Sequence, residues 1–316
     1  MYDDDGNQSI AATDAWNYQQ GSRVQWHPTQ DDRILFNDVQ DGNLVTRIVD
    51  VNGEEIDRYD WPLQAIAPTG EEFISLNYHR LDRNRPDYGY GLDDPTVIPD
   101  PSNDGLWRVY LDDGSADLLV CLGDLIDNDV EQANHYLNHV LYNPSGDRFV
   151  FLHRWRDSRG RNSRLYASDD IDEPLLDWST ISHYCWLDDE QLLVWGTSET
   201  YGSKYHVVDT TTGKVALLGT FEEYGDGHPS LSPDGQWIVT DTYPDRARQR
   251  HLLLYDRKKG REIEIGRFLS PFEYEGVNRC DLHPRWRPDG TAISIDSTHE
   301  GVRRSYIIDV SNIVND

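Results

Sequence analysis

The chain has 316 residues, which leaves one or two domains open, and its 57 Asp and Glu against 29 Lys and Arg give a formal net charge of -28. A field of that sign repels phosphate backbones and anionic lipid surfaces, so nucleic acid and membranes are poor partners. Ten Trp and 18 Tyr separate the chain from disordered acidic tails, which lack aromatics.

Lys204, Lys214, Lys258 and Lys259 are the only lysines, so arginine supplies nearly all the positive charge. Few lysines and a large acidic excess spread over the whole chain are the composition expected of a halophilic protein, adapted to molar salt, where screening shortens to about 3 Å. Cys121, Cys185 and Cys280 share no metal-ligand spacing, and their odd number argues against a disulfide framework. The N-terminus shows no signal-peptide pattern and no run approaches the length of a membrane span, so a cytoplasmic location is expected.

Short apolar runs, separated by turns rich in Asp, Asn, Pro and Gly and without helical periodicity, predict an all-β chain. In chain order, Arg23-Val-Gln-Trp-His-Pro leads to Ile34-Leu-Phe. Leu63-Gln-Ala-Ile-Ala-Pro-Thr-Gly leads to Phe73-Ile-Ser, with outer strands delayed to Leu106–Val120 by an insertion at 80–105 that reads as a long loop. His139-Val-Leu-Tyr-Asn-Pro-Ser-Gly leads to Phe149-Val-Phe and Arg164-Leu-Tyr. His183-Tyr-Cys-Trp-Leu-Asp-Asp leads to Leu192-Leu-Val and Tyr205-His-Val-Val-Asp209. The clearest copies come last: His228-Pro-Ser-Leu-Ser-Pro-Asp-Gly and His283-Pro-Arg-Trp-Arg-Pro-Asp-Gly, each followed by a strand ending in Asp, at Asp256 and Asp309.

Six units of roughly 45–55 residues, each offering about four strands, predict a single β-propeller domain spanning 1–316. The first twenty residues are left to supply a closing strand or part of a seventh blade.

Counting back five positions from Pro144, Asp188, Pro233 and Pro288 lands on His139, His183, His228 and His283, and the first unit puts Arg23 in the same slot. The first strand of a propeller blade lines the channel, so these side chains are expected to face one mouth. Inherited turn structure is the competing explanation. His228, Asp281 and His283 form the candidate metal shell, with Asn278 and Arg279 just upstream; neutral imidazole with carboxylate suits Mn, Fe, Zn or Ni. Arg23, Arg154 and Arg164 are candidates for binding a carboxylate ligand, because guanidinium recognises that group bidentately. Tyr243 is a candidate proton donor.

At these residues the chain resembles the oligogalacturonate lyases, which are β-propeller polysaccharide lyases. The likeness rests on the order of an Arg-Leu-Tyr strand, Ser182-His-Tyr-Cys-Trp, His228 before its Pro-Asp-Gly turn, and His283-Pro-x-Trp-x-Pro-Asp-Gly before an Asp-Ser strand end, over residues 130–310. The resemblance implies β-elimination on an acidic, uronate-containing oligosaccharide, with His183 removing a proton, Arg164 assisting, and manganese held at His228 and His283. The family's Gln and first His of the last cluster fall on Asn278 and Asp281, which changes the charge of the ligand set. Seven blades are usual in that family, against six units counted here.

Two other readings remain open. A metal-free binding propeller of the TolB-like type shares the turn motif and needs no histidine ring. A hydrolase or sulfated-uronate lyase would instead draw on His135, His139, His153 and Tyr243.

Overall fold

A computed structural model describes residues 2–3, 6–7, 9–92, 99–127, 130–158 and 160–315. They group into two compact units, 1–174 and 175–316.

In the first unit, strands Gln25–Trp26, Arg33–Gln40, Asn43–Asp50 and Glu55–Tyr59 form the first sheet. Ala65–Ile66, Glu72–Leu76, Gly105–Tyr110 and Ala116–Cys121 form the second, and His135–Tyr142, Phe149–Asp157 and Gly160–Ala167 belong to the third. Leu176–Trp178 opens the second unit. There Thr180–Trp186, Gln191–Ser198, Gly202–Asp209 and Val215–Leu217 make the fourth sheet, and Ser230–Leu231, Trp237–Asp241, Gln249–Asp256 and Arg261–Leu269 the fifth. Arg285–Trp286, Ala292–Ser297 and Arg304–Asp309 make the sixth.

Strands pair antiparallel in chain order within each sheet, and the fold is a β-propeller of six blades. Tyr2–Asp3 and Gly6–Asn7 pair only with each other among the described residues.

Local chemistry explains the repeat. In Ser232-Pro-Asp-Gly235 the Gly235 N–H donates to the Ser232 carbonyl at 2.9 Å, and Gly235 takes φ +72°, a value that side chains resist. Gly290 closes on Arg287 in the same way, at 2.8 Å. The strand-ending aspartates turn the chain outward: Asp256 Oδ1 accepts from the Lys258 and Lys259 N–H groups, and Asp209 Oδ1 from those of Thr211 and Thr212.

Each unit has its own apolar core. Ile74, Leu106, Phe151 and Tyr166 pack in the first, and Trp237, Leu252, Leu254 and Ile293 in the second.

Within the 80–105 insertion, of which 93–98 lie outside the described residues, the chain is not all loop. Tyr78–Asn84 is a helix capped by Asn77, whose side chain accepts from the Arg80 N–H at 3.0 Å. Two turns are too short to show a helical period. Leu81 and Tyr88 from this segment join the core of the first unit, and the buried Arg80 is ion-paired to Asp104.

Candidate metal and catalytic site

The histidine slot has a backbone signature. Arg23, His139 and His283 take φ of +57°, +56° and +43°, the left-handed region that side chains seldom occupy. Strand pairing slips between Asn138 and Leu141 and again between Ile181 and Tyr184, so His139 and His183 lie at bulges. A bulge turns a side chain out of the regular alternation of a strand, and it does so here inside strands His135–Tyr142 and Thr180–Trp186 rather than at their starts.

In the second unit the sequence candidates come together. The His183 and His228 ring centroids are 4.0 Å apart, and those of His228 and His283 4.2 Å. Ligand atoms of His228, Asp281 and His283 all lie within 4.8 Å of one another. Tyr243 stands 6.4 Å from the His183 ring and 6.1 Å from that of His228.

Aspartates orient these rings. His228 Nδ1 is 2.8 Å from Asp241 Oδ1, and the same buried carboxylate accepts the backbone N–H groups of His228, Leu282 and His283. One residue thereby ties two blades' slots together. Gly227 permits it, since a Cβ there would overlap the Asp241 carbonyl oxygen. His183 Nδ1 lies 3.0 Å from Asp226 Oδ1, and Ser182 Oγ donates to the other oxygen of Asp226.

The residues present fit a divalent ion. With Nδ1 committed to Asp241, His228 directs Nε2 toward the cluster, and that atom is shielded from solvent and has no hydrogen-bond partner among the described residues. An imidazole whose far nitrogen is held by a carboxylate is the usual arrangement of a metal-bound histidine.

The electrostatics agree. Burial opposes charge on His228, but Asp241, Asp281 and Asp226 outweigh it and raise its pKa. Burial and the neighbouring His228 charge push His283 well below the ordinary value, which keeps its imidazole neutral and able to ligate. Burial also opposes ionisation of Asp281, yet His228, Arg250 and other neighbouring charges hold its carboxyl well below the usual range. Arg250 Nη2 and Arg279 Nε contact its two oxygens at 2.8 and 2.9 Å.

The Asn278 amide donates to the Glu273 carbonyl at 3.0 Å, in the short 3-10 turn Gly276–Asn278. In the first unit, Arg164 pairs with Asp127 at 2.9 Å and lies over the Trp155 ring. Arg23 bonds the Gln64 carbonyl, and His139 meets the edge of Tyr88 with centroids 5.4 Å apart. Arg154 is 2 % exposed, and burial lowers its pKa. His135 and His153 bond each other at 2.9 Å, while Tyr243 packs in the second unit.

The sequence reading assigns no role to Asp226, Asp241 or Arg250. No local signal marks Asp241, because blade strands elsewhere also end in aspartate, at Asp50, Asp209, Asp256 and Asp309.

No family model matches the chain, and a search of curated proteins finds no match. Among solved structures the fold is similar to an oligogalacturonate lyase in complex with manganese, at 17% identity and TM-score 0.66, over 93% of this chain and 77% of that one. It is also similar to an oligogalacturonate lyase from Vibrio parahaemolyticus, at 15% identity and TM-score 0.59, over 91% of this chain and 76% of that one. TolB from Acinetobacter baumannii follows the same fold, at 12% identity and TM-score 0.51, over 91% of this chain and 60% of that one. At these identities the likeness is one of fold, and it includes both propeller types that the sequence resembles.

Proposed function

We propose that the protein is a metal-dependent lyase that cleaves short uronate-containing oligosaccharides by β-elimination. The observation that carries this reading is the pairing of two carboxylate-held histidines, His183 on Asp226 and His228 on Asp241, with ring centroids 4.0 Å apart. His228, Asp281 and His283 would hold the ion, with Asn278 close in sequence, and manganese is put first among the ions these donors suit because the similar lyase structure is a manganese complex. When bound, the ion supplies positive charge against which a sugar carboxylate docks and its neighbouring C5 proton is acidified.

The protein's own groups do the rest. Asp226 holds His183 through Nδ1, which leaves Nε2 as the basic nitrogen for the C5 proton. The C5–H electron pair becomes the C4–C5 double bond, and the glycosidic oxygen leaves C4 with its bonding pair. Tyr243 is assigned the return of a proton to that oxygen. Arg164 is assigned to a substrate carboxylate, for which its present partner Asp127, more than half exposed, is a replaceable stand-in. His139, Arg23 and Arg154 keep secondary roles in this reading. Short imported oligouronides in a cytoplasmic setting are the substrate class.

The test is to incubate the protein, in high salt with manganese, with oligogalacturonate and follow the absorbance of the conjugated double bond. The chromophore should appear and fall by about 10²–10⁴-fold in His183→Ala, the range of a positioned acid or base. A chromophore unchanged in that variant defeats the assignment. No chromophore with any oligouronide favours the metal-free binding propeller, to which the TolB-like fold lends support.

A further inference from the structure

We propose that the first unit carries a separate binding site for a neutral hexopyranose chain, built on Trp61 and Trp107. It does not rest on the lyase reading. The site is a cavity of about 610 Å³, within the usual range of about 300–1,000 Å³ for small-molecule pockets. It lies where the link from Tyr59 to Ala65 meets the end of strand Glu72–Leu76 and the start of strand Gly105–Tyr110.

Three observations identify the ligand. The first is the platform: the two indoles have centroids 4.9 Å apart and planes tilted by 34°. Rings that close pack on each other and leave no room for a cation between them, so the cavity meets an outer indole face rather than a cage. Such a face suits the C–H side of a pyranose.

The second is a buried hydroxyl. Ser75 pairs directly with Trp107 across the sheet, so both side chains leave by the same face. Ser75 is 1 % exposed, lines the cavity, and its Oγ has no hydrogen-bond partner among the described residues. A buried hydroxyl left unsatisfied is costly, and a sugar hydroxyl stacked on Trp107 would satisfy it.

The third is charge. The lining contains no Lys or Arg among the described residues but includes Asp60 and Asp104. Asp104 is neutralised by the buried Arg80, and the exposed Asp60 remains to accept from sugar hydroxyls and to repel an anion. With no Lys or Arg in the described lining to pair a carboxylate, the cavity favours an uncharged sugar over the uronates proposed for the second unit.

The protein in high salt should be titrated with cellotetraose, β-1,4-mannotetraose and β-1,4-galactotetraose, and with tetragalacturonate and tetramethylammonium as controls, while tryptophan emission and heat are recorded. None of the neutral sugars has a carboxylate, so their binding is read without any elimination and independently of the lyase assay. At least one of them should bind with a Kd of about 1 mM or tighter, weakened at least about tenfold in Trp107→Ala and in Trp61→Ala. Ser75→Ala, which removes a single oxygen, should weaken it several-fold and keeps the test open if a tryptophan variant does not fold. The proposal is overturned if no neutral tetraose binds, if folded Trp107→Ala or Ser75→Ala binds as the parent does, or if only tetragalacturonate or tetramethylammonium produces the response.

Discussion

The chain builds a histidine cluster in each unit, and the two are chemically unlike. In the first, His135 and His153 are buried, bond each other at 2.9 Å, and stack with Trp155. Burial, and then the charges of Arg80 and of His135 respectively, push their pKa values down to about 4 and about 3. In the second, His183 and His228 each carry an aspartate on Nδ1, and Asp281 sits beside His228 and His283. Histidine enrichment alone therefore does not mark a site. An imidazole backed by a carboxylate is oriented and made more basic, whereas one backed by another imidazole in an apolar setting is kept neutral.

The sharpest way to break this contrast is to neutralise the aspartates while keeping their shape. Asp241→Asn should weaken metal affinity by about 10–100-fold, the usual cost of losing a carboxylate behind a metal-bound histidine. Asp226→Asn should leave metal affinity near the parent value and lower the elimination rate instead. Isothermal titration with manganese separates the two, and equal metal loss in both variants would mean that the aspartates do not have distinct roles.

Acid should act on the first cluster. The unfolded chain protonates both histidines near 6.5, while the folded chain resists until about 4 and about 3. Between those limits the unfolded state binds more protons, so stability falls as pH drops from about 6.5 and levels off below about 3. His153→Phe should flatten that slope in urea unfolding measured between pH 6 and 4. An unchanged slope would place the acid sensitivity elsewhere.

Much of this was legible in the sequence, and the limits follow from distance along the chain. The Pro-Asp-Gly turns and the strand-ending aspartates satisfy themselves within four residues, so the six units and the slot holding His183, His228 and His283 could be counted directly. Asp241 could not be assigned, because it bonds Leu282, 41 residues away, and nothing local distinguishes it from the other strand-ending aspartates. Asp226 sits beside His228 in sequence yet serves His183, 43 residues earlier. The helix Tyr78–Asn84 was hidden for the opposite reason: its cap is local, but its two turns give no period.

The smallest expected difference is in salt. Exposed carboxylates feel the screening length, about 3 Å at 1 M and about 10 Å at 0.1 M, whereas the enclosed pairs His228–Asp241 and Arg250–Asp281 are already shielded from solvent. With a net charge of -28 the melting temperature should fall on dilution from 1 M to 0.1 M. Metal stoichiometry should hold for as long as the protein stays folded. A melting temperature unaffected by dilution would contradict the halophilic reading of the composition.

The central claim is that His228, Asp281 and His283 hold a divalent metal ion. It is tested most directly by elemental analysis of the protein after manganese loading and desalting in high salt, for the parent, His283→Ala and His153→Phe. The account predicts one ion per chain in the parent and in His153→Phe. It predicts none in His283→Ala, with circular dichroism unchanged because blade packing does not depend on the ion. Full occupancy in folded His283→Ala, or loss confined to His153→Phe, would contradict it.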